Sequence, residues 1–218
     1  MSEARVIEWL AGQQEAMLTL LRELVGIDGG TYDKPGVDAV GAALRRFLEA
    51  QGIAVRTIPQ QRFGDTLRAS VPGGDAARGN ILLMGHCDTV YPQGEVARRP
   101  FIIRDGFAWG PGVSDMKAGL VMNSFILAAF ARFGGAPGPL VGLYTADEEI
   151  GSPEGKAVIE AEAQTARVVL NSEPARASGG PPGRSSSNRR RPVSAALTYQ
   201  RRWVSLAHVL RVCPRPPG

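Results

Sequence analysis

The chain has 218 residues, 44% of them hydrophobic and 21% charged, with a formal net charge of +4. That is enough chain to bury a substantial core, and the composition is that of a folded globular protein rather than a fibrous or disordered one. No uninterrupted apolar run approaches the roughly 20 residues of a membrane span. The opening stretch "MSEARVIEWLAGQQEAM" lacks the apolar centre of a secretory signal, and the two cysteines, Cys87 and Cys213, form no disulfide framework, so a cytoplasmic setting is expected.

In chain order, Val6, Ile7, Leu10, Met17, Leu18, Leu21, Leu24 and Val25 recur at helical spacing and predict one long amphipathic helix over residues 3–26. "GIDGGTYDKPG" reads as a loop from its Gly, Pro and Asp content. A second helix is expected over 36–51, with Val40, Ala43, Leu44 and Phe47 on one face. "IAVRTIP" and "LRASVP" read as strands. "NILLMGH" is wholly apolar before its histidine, the pattern of a central strand buried on both faces. Residues 115–133 are apolar nearly all round and predict a buried helix. "GPLVGLYTADEE" is a buried strand ending in acids, and "SPEGKAVIEAEA" is a helix with Ser152 at its N-cap and Pro153 at its first position. "ARVVLNSEP" is another apolar run that ends in an acid. Strands alternating with helices argue for an α/β three-layer domain with a largely parallel sheet.

The last 42 residues are different in kind. From Ala177 to Gly218 there are eight arginines, no lysine and no acid, which leaves 17 basic against 21 acidic residues, −4, on residues 1–176. Periodicity stops with the acids. No nucleic-acid-binding fold accompanies the arginines, so nucleic acid is not expected as a partner, and neither is a membrane. Arg, Pro, Ser and Gly without acids is what an out-of-frame reading of a GC-rich gene yields, and a frame change near residues 177–183 is the expected origin of the tail.

Four stretches carry chemistry. "MGHCDTV" supplies His86 and Asp88, "GPGVSDMKAG" supplies Asp115, "TADEEIGS" supplies Glu148 and Glu149, and "LNSEP" supplies Glu173. In each, an apolar strand or Gly-rich turn delivers a metal-type ligand to its C-terminal end, where open α/β sheets carry their sites. Imidazole and carboxylate suit zinc. Several carboxylates with one histidine also suggest two cations sharing an acid, since the same acids packed without cations would force some to stay protonated. Taken singly, each has an ordinary explanation. His-x-Asp can be a capping pair, the adjacent glutamates a solvated face, Asp115 a helix cap and Glu173 a loop acid. Cys87 reads as a small filler between two polar groups.

Together, "GHCDTVYPQG", "GPGVSDMKAG", "TADEEIGS" and "NSEP", in this order, resemble the di-zinc metallopeptidases that include glutamate carboxypeptidase, acetylornithine deacetylase, succinyl-diaminopimelate desuccinylase and aminoacylase. The resemblance covers residues 1–176 and leans towards the glutamate carboxypeptidase branch. It implies that His86 and Glu173 hold one zinc, that Asp115 bridges two, and that Glu149 binds the second. It implies that Asp88 orients the His86 imidazole, that Glu148 is the general base, and that a cis peptide follows Asp115. Cobalt or manganese can replace zinc in such sites. The implied reaction is hydrolysis of an amide bond next to a free carboxylate, in a small peptide or an N-acyl amino acid.

The chain departs from that family in length. Members are about twice as long, often homodimeric, and continue into a lid and dimerisation domain that contributes an oxyanion-stabilising histidine; a late histidine then completes the second zinc site. Neither is recognisable here, and His208, the remaining histidine, matches no motif of the family. One well-held cation at most is expected, with an exposed sheet edge where later strands would pack. A metal-binding but catalytically dead fragment is the alternative.

Overall fold

The protein, seen in a computed structural model, is described here over residues 3–174. The tail from residue 177, with its proposed frame change and His208, lies outside the described residues.

The expected first helix is two helices, α1 (Glu3–Ala11) and α2 (Gln14–Val25). Gly12 and Gln13 donate to Trp9 O and Leu10 O, a tight turn at the residue with the weakest helical preference in the stretch. Both helices still bury one stripe: Val6 and Leu10 on α1, then Met17, Leu20, Leu21, Leu24 and Val25 on α2. Ile7 falls off that stripe and is exposed. Helix α3 (Lys34–Ala50) begins where Asp33 accepts from the Gly36 amide at 3.3 Å, with Pro35 in its first turn.

The strands are β1 (Ala54–Ile58), β2 (Thr66–Val71) and β3 (Asn80–His86), followed by a four-residue helix α4 (Glu95–Arg98). A small hairpin, β4 (Ile102–Arg104) with β5 (Phe107–Trp109), was not evident in the sequence because its strands are three residues each. Then come α5 (Ala118–Arg132), β6 (Leu140–Thr145), α6 (Gly155–Thr165) and β7 (Ala166–Asn171). The main sheet runs β1-β2-β6-β3-β7. β6, β3 and β7 are parallel neighbours, and β2 pairs antiparallel with both β1 and β6. Four of the five strands therefore share one direction, a mostly parallel sheet.

Alternation along β3 separates the layers. Leu83 belongs to the large core under α1, α2, α3 and α5, whereas Leu82 packs with Val141 and Leu143 against Val158 and Ile159 of α6. The sheet is thus covered by helices on both faces, as the two-faced apolar run predicted.

Two expected helix starts are corrected. α5 begins at Ala118, because Asp115 and Met116 have non-helical dihedrals and are joined by a cis peptide inside the irregular turn Val113–Lys117. α6 is not capped by Ser152. Glu154 occupies its N-cap, and the Asp147 carboxylate accepts from the Glu154 and Gly155 amides at 2.7 and 2.9 Å. The stretch Val113–Arg132 is long and apolar enough to cross a membrane by composition, but it is 72% buried as the central helix of the fold.

Candidate metal centre

Parallel register brings the chemistry together. β3 lies between β6 and β7, with His86 opposite Thr145 and Met84 opposite Asn171. Two residues beyond Met84 is His86, and two beyond Asn171 is Glu173. Three beyond Thr145 is Glu148, in a short turn over Glu148–Ile150. Three adjacent strands thus deliver their terminal residues to one crevice. Asp115 arrives from the opposite side, on the turn before α5. That turn is pinned by Lys117, whose buried ammonium donates to Leu24 O and Ile27 O at 2.8 Å each.

His86 is the hub, 1% exposed. Its Nε2 lies 3.1 Å from Glu173 Oε1, 3.3 Å from Asp115 Oδ1 and 3.7 Å from Glu148 Oε2. Two sets of possible ligand atoms fall within 4.8 Å of one another: His86, Asp115 and Glu149, and His86, Glu148 and Glu173. Both draw on the same imidazole, which is the only one among the described residues. His86, Asp115, Glu148, Glu149 and Glu173 come together in this crevice, with Asp88 buried behind His86. A surface hollow of about 470 Å³, lined by Arg68, Ser70, Asn80 and Thr165, is elsewhere. It touches the first residue of β3 rather than its last, roughly 20 Å away at ~3.3 Å per residue, and holds no such ligand cluster.

The electrostatics are those of crowded acids. Burial would push the His86 imidazole down, but the carboxylates of Asp115, Asp88 and Glu173 overcome it and raise it above its ordinary value. Glu149 is pushed up to about 7 by burial and by the Asp115 charge. Glu148 is raised by burial, with Glu173, Asp88 and Asp115 adding to the effect. Asp88 goes the other way: burial would raise it, but its bond to His86 lowers it. Cys87, buried beside these groups, is pushed up to about 12 by burial and the Asp88 charge, which fits a filler and not a nucleophile.

Asp88 is 0% exposed and all its acceptor capacity is used. Oδ1 accepts from His86 Nδ1 (3.1 Å) and the Glu148 amide (3.2 Å); Oδ2 accepts from Thr31 Oγ1 (2.7 Å) and the Glu149 amide (3.2 Å). With its proton on Nδ1, the ring turns Nε2 towards the acids. Glu173 is placed from behind. Ser172 Oγ donates to Asn123 Oδ1 (2.6 Å), and Asn123 Nδ2 donates to Met84 O (3.0 Å). One turn earlier on α5, a Cβ at Gly119 would come within 2.5 Å of Ser172 O, so only glycine admits that approach.

Thr31, Asn123, Asp147 and Lys117 were not singled out in the sequence. Asp147 and Lys117 sit inside quoted motifs, which was signal enough to ask about them. Thr31 and Asn123 are 57 and 50 residues from Asp88 and Glu173 and carried no local signal.

The donor set fits a divalent cation. One imidazole nitrogen and several carboxylate oxygens converge, and the proton-retaining shifts of Glu148 and Glu149 are what such acids show when no cation screens them.

The fold and this crevice define a class, an α/β protein with a cluster of possible metal ligands at the carboxyl ends of its strands, and comparison narrows it. The sequence profile of Peptidase family M20/M25/M40 matches residues 82–203, more than half of the chain. The chain belongs to that family. It is 34% identical over 165 residues to carboxypeptidase G2 of Pseudomonas sp. (strain RS-16), covering 74% of this chain and 39% of that protein. It is 30% identical over 169 residues to acetylornithine deacetylase of Myxococcus xanthus, covering 74% and 42%. Among solved structures, human carnosine dipeptidase 1 superposes with a TM-score of 0.66 at 19% identity, over 79% of this chain and 41% of that one. The chain therefore spans about two fifths of the length of these relatives. The family match runs past residue 176 to 203, across the boundary drawn from composition.

Proposed function

We propose that this chain contributes the metal-binding and general-base residues of a hydrolase that cleaves an amide bond next to a free carboxylate, in a small peptide or an N-acyl amino acid. The observation that carries the reading is the convergence of Asp115, Glu148 and Glu173 on the single nitrogen His86 Nε2, with Glu149 completing a second set. A carboxypeptidase and a deacetylase among the relatives support the substrate class.

His86 and Glu173 would hold one cation, Glu149 the second, and Asp115 would be shared; zinc is the metal that best suits these donors, with cobalt and manganese as substitutes. Such a cation supplies Lewis-acid polarisation of the scissile carbonyl and makes a nearby water more acidic. The chain's own residues do the rest. Glu148, half-exposed at the crevice, takes a proton from the attacking water and returns it to the departing amine nitrogen. Its raised pKa suits a group that must hold that proton between the two transfers. Asp88 keeps the His86 proton on Nδ1, so that Nε2 stays available as a donor atom.

The test is metal content of the purified chain, measured alongside hydrolysis of a panel of N-acyl amino acids and peptides ending in glutamate. Metal-dependent turnover should fall about 10²–10⁴-fold in Glu148→Gln with metal content unchanged. A chain that binds no divalent metal would overturn the reading. A second reading, a metal-binding chain without turnover, is favoured by the sharing of one imidazole between both candidate sets; metal retained with no hydrolysis of any panel member would select it.

A further inference from the structure

We propose that Thr31 is a positioning residue for the metal centre, acting through Asp88. The proposal rests on the reading of the crevice as a metal site. Thr31 lies in the loop between α2 and α3, far in sequence from every ligand, yet it is 4% exposed and its hydroxyl donates to Asp88 Oδ2 at 2.7 Å. That is the shortest of the four bonds the Asp88 carboxylate accepts.

The loop is held for this purpose from both sides. Thr31 N donates to Thr89 O, and Thr89 donates through both its amide and its hydroxyl to Gly29 O. Gly30 makes room for that bridge, since a Cβ there would come within 2.5 Å of Tyr91 O. The bridge fixes the Thr31 backbone beside the residue that follows Asp88, which leaves the hydroxyl one well-placed acceptor, Oδ2, with Thr89 O more distant at 3.5 Å.

The consequence follows from counting donors. Asp88 Oδ2 has two, Thr31 and the Glu149 amide; Oδ1 has His86 and the Glu148 amide. Removing the hydroxyl leaves Oδ2 with one donor and frees the carboxylate to turn about its Cβ–Cγ bond. That single rotation loosens Glu148 and Glu149 together and leaves His86 Nδ1 with the Asp88 backbone carbonyl, 3.0 Å away, as its one remaining Asp88 acceptor. Carboxylates behind a ligating histidine commonly contribute 10- to 100-fold to metal affinity, and Thr31 orients this one.

Thr31→Val removes the hydroxyl while keeping the shape, Thr31→Ser keeps the hydroxyl, and Thr31→Ala covers the case in which valine prevents folding. Two readouts are taken on folded protein. In the metal-free chain, NMR follows the His86 ring protons and the exchange protection of the Glu148 and Glu149 amides. In the loaded chain, chelator competition gives the zinc dissociation constant. Valine or alanine should lower both amide protections, shift the His86 ring signals and weaken zinc about 10-fold, with serine restoring both. Wild-type amide protection and ring shifts in the valine or alanine variant overturn the proposal, whether or not the chain binds zinc. Lowered protection that serine does not restore also overturns it, because the cause is then packing and not the hydroxyl. A wild-type chain that binds no zinc overturns the metal-site reading, and the metal-free spectra still decide the role of Thr31.

Discussion

The two walls of the crevice are built to different standards. One is the β3–β6 wall with α5 behind it. All six residues of β6 are buried, and Leu120, Val121 and Leu127 of α5 are fully enclosed. The other is β7, the edge strand among the described residues, where Val169 and Leu170 are 38% and 50% exposed and, among those residues, α6 covers one face only. His86 and Asp88 belong to the first wall, and Glu173 is reached from the end of the second. The buried wall can hold a charged pair at fixed geometry because His86 and Asp88 are themselves enclosed, 1% and 0% exposed. The edge strand offers a carboxylate but little rigidity, and Asn123 and Gly119 of α5 compensate by gripping Ser172.

Breaking the charges on each wall should expose the difference most strongly. Asp88→Ala removes a buried carboxylate that holds His86, Thr31 and two backbone amides and should cost about 3–5 kcal/mol in denaturant unfolding of the metal-free chain. Glu173→Ala, at the partly open wall, should change that stability far less while weakening metal binding. Equal losses of stability in the two variants would show that the walls are equivalent.

Core truncation sharpens the same point with a smaller effect. Leu120→Ala, on α5, should cost about 2–5 kcal/mol from lost burial and the cavity left behind. Leu170→Ala, on β7, should stay within about 0.5 kcal/mol, as surface substitutions do. A large cost at Leu170 would mean that the edge is covered in solution.

The smallest effect is the pH dependence of the metal-free chain. His86 and Glu149 both have raised values when folded, so the folded chain binds protons that the unfolded chain has released. Stability from Glu149 is therefore lost as pH rises from 4.5 to about 7. The contribution of His86 is complete below 6.5 and lost above it. Asp88, lowered when folded, contributes above 3.8 and loses its contribution on further acidification. The melting temperature should peak near mildly acid pH, about 5, and decline towards pH 8. Added zinc should reverse the decline, because deprotonated acids and neutral imidazole are its ligands. A melting temperature that is flat over this range without metal would remove the crowding of acids as a feature of the site.

The sequence by itself determined which residues meet and why. His86, Glu148, Glu149 and Glu173 were legible because each follows an apolar run that reads as a strand, a local property, and Asp115 because it follows a Gly-rich turn; their combination carried the resemblance from which their roles were expected. The layering was legible for the same reason, since the wholly apolar β3 and β6 must be covered on both faces. Tertiary structure alone decided the order β1-β2-β6-β3-β7, the departure from helix at Asp115 and the break at Gly12. These depend on what packs against the chain from elsewhere: Lys117 reaching the end of α2, and Met116 buried under Gly85. It alone placed Thr31 on Asp88 and Asn123 on Ser172. A hydrogen bond across some fifty residues leaves no period or spacing in a sequence; only the folded chain brings its two ends together.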